Sequence, residues 1–324
     1  MKYETNLGFC INEDSLETLA KMENGSINLL LTSPPFSNQR KKKYENFDEI
    51  PQDKYVDWLM QWMYAVKDKL ADDGSVVIDI RSAYEAGRPV ESLYVYEFIL
   101  KACKEAGFVL CQNVMWNNSS ALPLPIQYVN IDACRLKNSL NFNLWFAKAE
   151  SYGRVKANNK NVLVPYSSRM QDLIDKPESF IKGDSVERPS GNTLTIKSWQ
   201  KDNGGAKASN LLNYPNSDSN SNYLRFCKKL KDKYGIKAHP ARYPNSLVEF
   251  WIKFLTDEGD VVFDPFSGSG TTLHAAEKLG RRWVGADISK EYVATSSFRF
   301  ANSVEEADQL FEKLMSGEDV KIEY

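Results

Sequence analysis

Asp260-Val261-Val262-Phe263-Asp264-Pro265-Phe266-Ser267-Gly268-Ser269-Gly270-Thr271-Thr272 is the stretch that decides the fold. A short apolar run ends at an acid and a proline, as a buried parallel strand ends at the edge of its sheet. Glycines then turn the chain toward Thr271-Thr272-Leu273-His274-Ala275-Ala276, a predicted helix. A glycine turn lets the backbone approach a ligand closely, and the helix start offers unpaired N–H donors. Next comes Arg282-Trp283-Val284-Gly285-Ala286-Asp287, a strand ending in an acid about 20 residues on, where a carboxylate can hydrogen-bond both hydroxyls of a ribose. Loop and spaced acid together point to a nucleoside cofactor; the loop alone would also suit a tight turn with no ligand.

Working outward, the α/β rhythm continues on both sides. Ile27–Leu31 reads as a buried strand, Lys54–Leu70 carries apolar residues at helical spacing, Asp73-Gly74 as a turn, and Ser75–Ile80 as the next strand. A helix over Leu93–Ala106 is stopped by Gly107, and strands follow over Phe108–Trp116 and Leu140–Phe146. From about Ser151 to Lys237 the chain turns rich in Asn, Ser, Lys and Gly, with weak periodicity except around Tyr223–Leu230. The expected architecture is a doubly wound, mostly parallel α/β sheet interrupted by one insertion. Its parts are a first core half over 1–150, an inserted region over 151–236 and a second core half over 237–324.

The second informative stretch is Thr32-Ser33-Pro34-Pro35-Phe36, at the end of the first predicted strand. Its prolines carry no N–H and fix φ, so nearby carbonyl oxygens are held without local competition. An aromatic exocyclic amine is a poor nucleophile because its lone pair is delocalised into the ring. The Ser33 hydroxyl and the Pro34 carbonyl, aimed at its hydrogens, would favour a pyramidal nitrogen and stabilise developing positive charge. Phe36 offers a face on which a base turned out of its duplex can stack. On its own the stretch could equally be a proline-rich turn with Phe36 in the core; the cofactor loop in the same chain favours the chemical reading.

Taken together, these motifs resemble those of the β-type DNA amino-methyltransferases of the cytosine-N4 class, in which the acceptor half precedes the cofactor half. The resemblance extends through most of the chain, including Gln39-Arg40-Lys41-Lys42, Val56-Asp57-Trp58, Leu122-Pro123-x-Pro125-Ile126 and Arg188-Pro189-Ser190-Gly191. It also covers Lys201-Asp202-Asn203-Gly204-Gly205 and Lys237-Ala238-His239-Pro240-Ala241-Arg242. It implies the S-adenosylmethionine-dependent methyltransferase fold with permuted motif order, and S-adenosyl-L-methionine as cofactor. Thr32, Asp264, Pro265, Phe266, Ser267, Gly268, Gly270, Thr271 and Thr272 would form its loop, with Phe266 on the methionine part and Asp287 on the ribose. Asp264 serves either the cofactor's amino group or the turn itself. His239 and Pro240 would line the methionine end, and Asp14 would meet the adenine, although Glu13 stands where the family has Gly. Asp79, at a strand end, is expected to hydrogen-bond Ser33, to take up the departing proton, or simply to close a turn.

The resemblance further implies double-stranded DNA as substrate, a target-recognition role for the insertion, and a cognate restriction endonuclease acting separately. Arg40, Lys41, Lys42 and Lys43, beside Phe36, are candidates for phosphate contact. Base readout falls to the basic residues of the insertion: Arg154, Lys156, Lys160, Arg169, Lys182, Arg188, Lys197, Lys201 and Lys207. A net charge of −2 means that any such footprint is confined to local patches.

Other chemistries are poorly supplied. An NAD-dependent oxidoreductase would want the third glycine of G-x-G-x-x-G, and Phe266 fills the entry instead. Cytosine-C5 methylation uses a cysteine nucleophile, usually after proline, and no Pro-Cys dipeptide occurs. Five scattered cysteines without a C-x-x-C pair argue against a disulfide framework or a structural zinc, and two histidines leave little for metal chemistry. Adenine-N6 transfer, or a catalytically silent DNA-binding relative, remain the alternatives. No apolar run reaches the roughly 18 residues of a membrane span and Met1–Asn6 lacks a signal-peptide pattern, so the expected compartment is the cytoplasm.

Overall fold

The computed structural model describes residues 1–36, 50–85, 87–176, 185–187, 189–191, 193–195, 202–216 and 221–324. They fall into two compact units, one of 1–157 with 210–324 and one of 158–209.

The larger unit is built on a sheet of ten strands. In chain order these are β1 (Lys2–Glu4), β2 (Gly8–Asn12), β3 (Ile27–Thr32), β4 (Leu70–Ile80), β5 (Phe108–Asn117) and β6 (Leu140–Lys148). The hairpin β7 (Ser185–Glu187) and β8 (Thr193–Thr195) lies in the smaller unit; β9 (Leu211–Asn213), β10 (Val261–Asp264), β11 (Arg282–Asp287) and β12 (Val320–Lys321) return to the large sheet. The spatial order is β12-β1-β2-β11-β10-β3-β4-β6-β5-β9. The run from β2 to β4 is parallel, and β6 enters antiparallel between β4 and β5.

Alternating side chains explain why helices cover both faces. Leu29 and Leu31 of β3 join one core with Val77, Val262, Trp251 and Trp283, whereas Ile27 and Leu30 join another with Val76, Ile78, Phe98 and Phe263. The helix Gln52–Lys67 turns Tyr55, Leu59, Met63 and Val66 into the second core, at the spacing read from the sequence. The expected doubly wound α/β sheet is the observed one.

β10 and β3 are the central pair, and the chain leaves them in opposite directions. β10 leads through the helix Thr271–Lys278 to β11 on one side; β3 leads through Gln52–Lys67 to β4 on the other. Such a reversal opens a crevice at the carboxyl ends of the two strands, the usual place for a ligand. The two decisive stretches of sequence follow these two strands.

Two expectations need correction. Asp73-Gly74 is not a turn before a strand but part of β4, beside the point where its register with β3 shifts between Ile27 and Leu29. The extra residues are absorbed as a bulge, so the strand continues. The insertion is also shorter than 151–236 at both ends. β9 pairs with β5, and the helix Asn222–Tyr234 buries Tyr223, Phe226, Cys227 and Leu230 in the first core. A stretch that buries an apolar helical stripe belongs to the core, whatever the composition around it. Among the described residues no helix is long and apolar enough to cross a membrane.

Candidate active site

A cleft of about 390 Å³ opens at the reversal point. Both stretches line it: Ser33, Pro34, Pro35 and Phe36 after β3, and Pro265, Phe266, Ser267, Gly268 and Thr271 after β10. Asp14, Asp79, His239, Pro240 and Asp287 line it too. Residues distant in sequence therefore share one wall-to-wall site.

On the acceptor side, Ser33 Oγ donates to Asp79 Oδ2 at 3.0 Å. The hydroxyl proton is thereby committed to the carboxylate, which leaves the Ser33 oxygen an acceptor toward the cleft. The Pro35 carbonyl is taken by Tyr55 Oη at 2.8 Å, which ties the second proline to the helix Gln52–Lys67. Phe36 is half-buried against the second core while lining the cleft. Asp79 is only 3 % exposed, and burial lifts its carboxyl to about 6 against the opposing pull of its hydrogen bonds. Those bonds come from Asn141 Nδ2, at 3.2 and 3.1 Å to the two oxygens, and from Asn143 Nδ2 at 2.8 Å, besides Ser33.

The cofactor side is made from one turn. Gly268 (φ +47°) and Gly270 (φ +70°) sit in the left-handed region that disfavours side chains. A Cβ on Gly268 would lie 3.1 Å from His239 Nε2, so the ring of His239 already rests on the loop. Asp287 accepts from the Gly268 N–H and the Ser289 N–H, each at 2.9 Å, and burial lifts it to about 6. It thus spans the loop and the end of β11 while facing the cleft. Asp14 caps the helix Ser15–Lys21 through the Leu16 N–H at 2.8 Å and remains exposed at the cleft wall.

Four expected cofactor residues lie behind the wall instead. Thr32, Asp264, Gly270 and Thr272 are not among the lining residues. Asp264 is 1 % exposed and accepts from Thr32 Oγ1 at 2.6 Å, Thr272 Oγ1 at 2.5 Å, the Phe266 N–H at 3.1 Å and Tyr243 Oη at 3.3 Å. Its oxygens are consumed in joining β3 to the loop after β10. Of the two roles left open for Asp264, the geometry matches the turn-holding one.

Several residues at or behind the cleft wall are not evident from the sequence. Trp58 and Trp62, a helical turn apart, look from the sequence like core positions. They do pack on the core, but they also pack on Phe266, with ring centroids 5.4 and 4.8 Å away, and wall the cleft with it. Asn141 and Asn143 carried a signal that could have been read. Before the terminal Lys148 they are the polar members of an otherwise apolar strand, two apart and so on one face. Arg81 also lines the cleft.

The basic residues expected to meet DNA fare unevenly. Arg40, Lys41, Lys42 and Lys43 lie outside the described residues, as do Lys182, Arg188, Lys197 and Lys201. Lys156 belongs to the larger unit and is paired with Asp260 at 2.8 Å, Asp257 at 3.3 Å and Asp73 at 3.9 Å. Its charge is committed inside the fold, so it is withdrawn as a base reader.

A reversal-point cleft that combines a glycine loop, a spaced acid and a Ser-Pro-Pro-Phe turn defines a class, and the chain belongs to it: residues 27–298 match the model of the DNA methylase family. Among particular proteins, the chain is 42% identical over 323 residues to the type II methyltransferase M.PvuII of Proteus hauseri, covering 99% of this chain and 92% of that one. A solved PvuII DNA methyltransferase, described as cytosine-N4-specific, superposes with a TM-score of 0.77 at 36% identity, over 98% of this chain and 96% of its own. The type II methyltransferase M.HpaI of Haemophilus parainfluenzae is 23% identical over 308 residues, 94% of this chain and 77% of the relative.

Proposed function

We propose that this chain is a site-specific DNA methyltransferase that methylates the exocyclic N4 amine of a flipped cytosine, with S-adenosyl-L-methionine as the methyl donor. One observation carries the reading: the Ser33–Asp79 pair and the glycine loop with Asp287 face each other across a single cleft. The extent of identity to M.PvuII favours cytosine-N4 over adenine-N6.

The residues suit the cofactor. The glycine turn leaves room that a Cβ would fill, and an anionic Asp287 stands where a ribose is gripped. Pro265, Phe266, Ser267, Gly268 and Thr271 would hold the donor from one side; His239 and Pro240 flank its methionine end and Asp14 its adenine. When bound, S-adenosylmethionine supplies an electrophilic methyl group. Thr32, Asp264, Gly270 and Thr272 support that loop from behind.

On the other wall, the Ser33 oxygen and the Pro34 carbonyl accept from the target amine and stabilise the positive charge it gains. Pro35, held by Tyr55, keeps the turn in place, and Phe36 stacks on the flipped base. Ionised Asp79 accepts the Ser33 hydrogen bond, and as the Ser33 oxygen receives the proton the amine gives up, Ser33 passes its own hydroxyl proton to Asp79. Arg40, Lys41, Lys42 and Lys43 would contact the DNA backbone. Residues 158–209 are the target-recognition region of this reading, narrower than the sequence suggested. The enzyme would act in the cytoplasm as the modification partner of a separate endonuclease.

Nucleoside mass spectrometry on DNA from a methylation-free host expressing the chain is the test. N4-methylcytosine is expected. N6-methyladenine would overturn the base assignment, and no modified base would overturn the enzymatic reading.

A further inference from the structure

Behind the acceptor wall, the buried strand β6 and the helix Asn245–Leu255 form a hydrogen-bond chain that ends at Ser33. Trp251 Nε1 donates to Asn143 Oδ1 at 2.8 Å; Asn143 Nδ2 donates to Asp79 Oδ1 at 2.8 Å; Ser33 Oγ donates to Asp79 Oδ2 at 3.0 Å. Trp251 is fully buried and Asn143 is 1 % exposed, so water cannot substitute for either partner.

The direction of this chain is not free. An indole nitrogen can only donate, so it dictates that Asn143 presents its oxygen to Trp251 and its NH₂ to Asp79. A flipped amide would set two donors face to face at Trp251 and two acceptors face to face at Asp79. A carboxylate surrounded by donors in turn accepts the Ser33 O–H and leaves the Ser33 lone pairs accepting toward the cleft. Resting on the methyltransferase reading above, we propose that Trp251 and Asn143 are positioning residues whose one-way hydrogen-bond chain fixes the polarity of Ser33 toward the amine. Neither residue lines the cleft.

The other charged or titratable groups around Asp79 do not duplicate this role. Arg81, just past the end of the same strand, stays cationic and favours the ionised carboxylate. Tyr94, from the helix Tyr94–Lys104, and Tyr243, which precedes the helix Asn245–Leu255, are both pushed up by burial and stay neutral. Asn141 also donates to Asp79, but unlike Asn143 it lies at the cleft wall.

The test compares Asn143→Leu and Trp251→Phe with the full-length wild type. It reads single-turnover methyl transfer across a range of about pH 5 to 9 alongside equilibrium binding of S-adenosylmethionine. Asn143→Leu removes one donor to an ionised group, so the acid limb is expected to move about one unit toward higher pH. The rate plateau should fall on the order of tenfold, less than the roughly 10²–10⁴ that a positioned acid–base group supplies. Trp251→Phe keeps the ring and lets the amide turn, so the same displacement is expected at smaller size. Unchanged cofactor binding in both would separate positioning from general damage. If either variant binds cofactor as the wild type does and keeps the wild-type acid limb and plateau, the proposal is overturned, so the loss of one to misfolding leaves the other as judge. A wild type that transfers no methyl group would instead overturn the reading of function, before any variant is compared.

Discussion

At the end of β10 the groups that meet the cleft come from one continuous turn and a carboxylate on the neighbouring strand. At the end of β3 they are gathered from β3, β4 and β6, with support from a helix more than a hundred residues downstream. The first wall works through backbone N–H groups and left-handed glycines; the second works through side chains whose polarity is set at a distance. A wall of the first kind forms wherever its turn forms. A wall of the second kind exists only when the whole sheet has been assembled in register, and it is correspondingly sensitive to single side chains.

The largest contrast should appear at Asp79. Asp79→Asn removes the charge and replaces one of the two acceptor oxygens by a donor among donors, and the rate plateau is expected to fall roughly 10²–10³-fold with little change in cofactor affinity. Single-turnover methyl transfer beside cofactor titration measures both, and an unaltered rate would break the contrast. The same carboxylate sets opposed pH responses. Its value is raised from 3.8 to about 6 in the fold. The stability it contributes is therefore full below 3.8 and lost as pH rises through about 6, while activity rises over that interval as Asp79 ionises. Thermal melts against pH should show this downward slope flattened in Asp79→Asn.

Phe36→Ala comes next. Loss of one base–aromatic stack, about 1–3 kcal/mol, predicts a roughly 5- to 150-fold drop in kcat/KM for DNA. Retention of wild-type kcat/KM would remove Phe36 from the base-binding wall.

On the cofactor wall, Gly268→Ala places a methyl group 3.1 Å from His239 Nε2 in a left-handed backbone, a strain of about 1–2 kcal/mol. Cofactor affinity should weaken on the order of tenfold, with the acid limb of the rate profile left where it was. Movement of that limb instead would show that the two walls are coupled.

The smallest effect belongs to Lys156, outside both walls. Lys156→Met breaks a partly exposed ion cluster and should lower stability by about 1 kcal/mol or less in a urea melt. DNA affinity should not change. A clear loss of affinity would return this lysine to the DNA-binding surface.

The difference between the walls also explains what could be read in advance. The glycine loop, Asp287, Ser33 to Phe36 and the alternation of strands and helices were legible because each rests on spacing within a short stretch of chain. The place of Trp58 and Trp62 on the cleft is not legible, because a helical stripe that packs on the core does not reveal that its end also reaches a cleft. Lys156 reads as a DNA contact because charge in a polar stretch says nothing of the acids that the fold brings to it. The composition of 151–236 hides the short strand Leu211–Asn213, and the apolar stripe around Tyr223–Leu230, visible in the sequence, does not by itself say which core it joins.

By itself, then, the sequence determined the parallel α/β core, the reversal-point loops and the residue types that face a ligand, since these follow from periodicity and local turn geometry. Only the tertiary structure decided that Asp264 holds two loops together, that Asn141 and Asn143 surround Asp79, and that a buried indole stands behind them. Hydrogen-bond polarity depends on which donor meets which acceptor across strands. Strand order, which no local pattern encodes, selects those meetings.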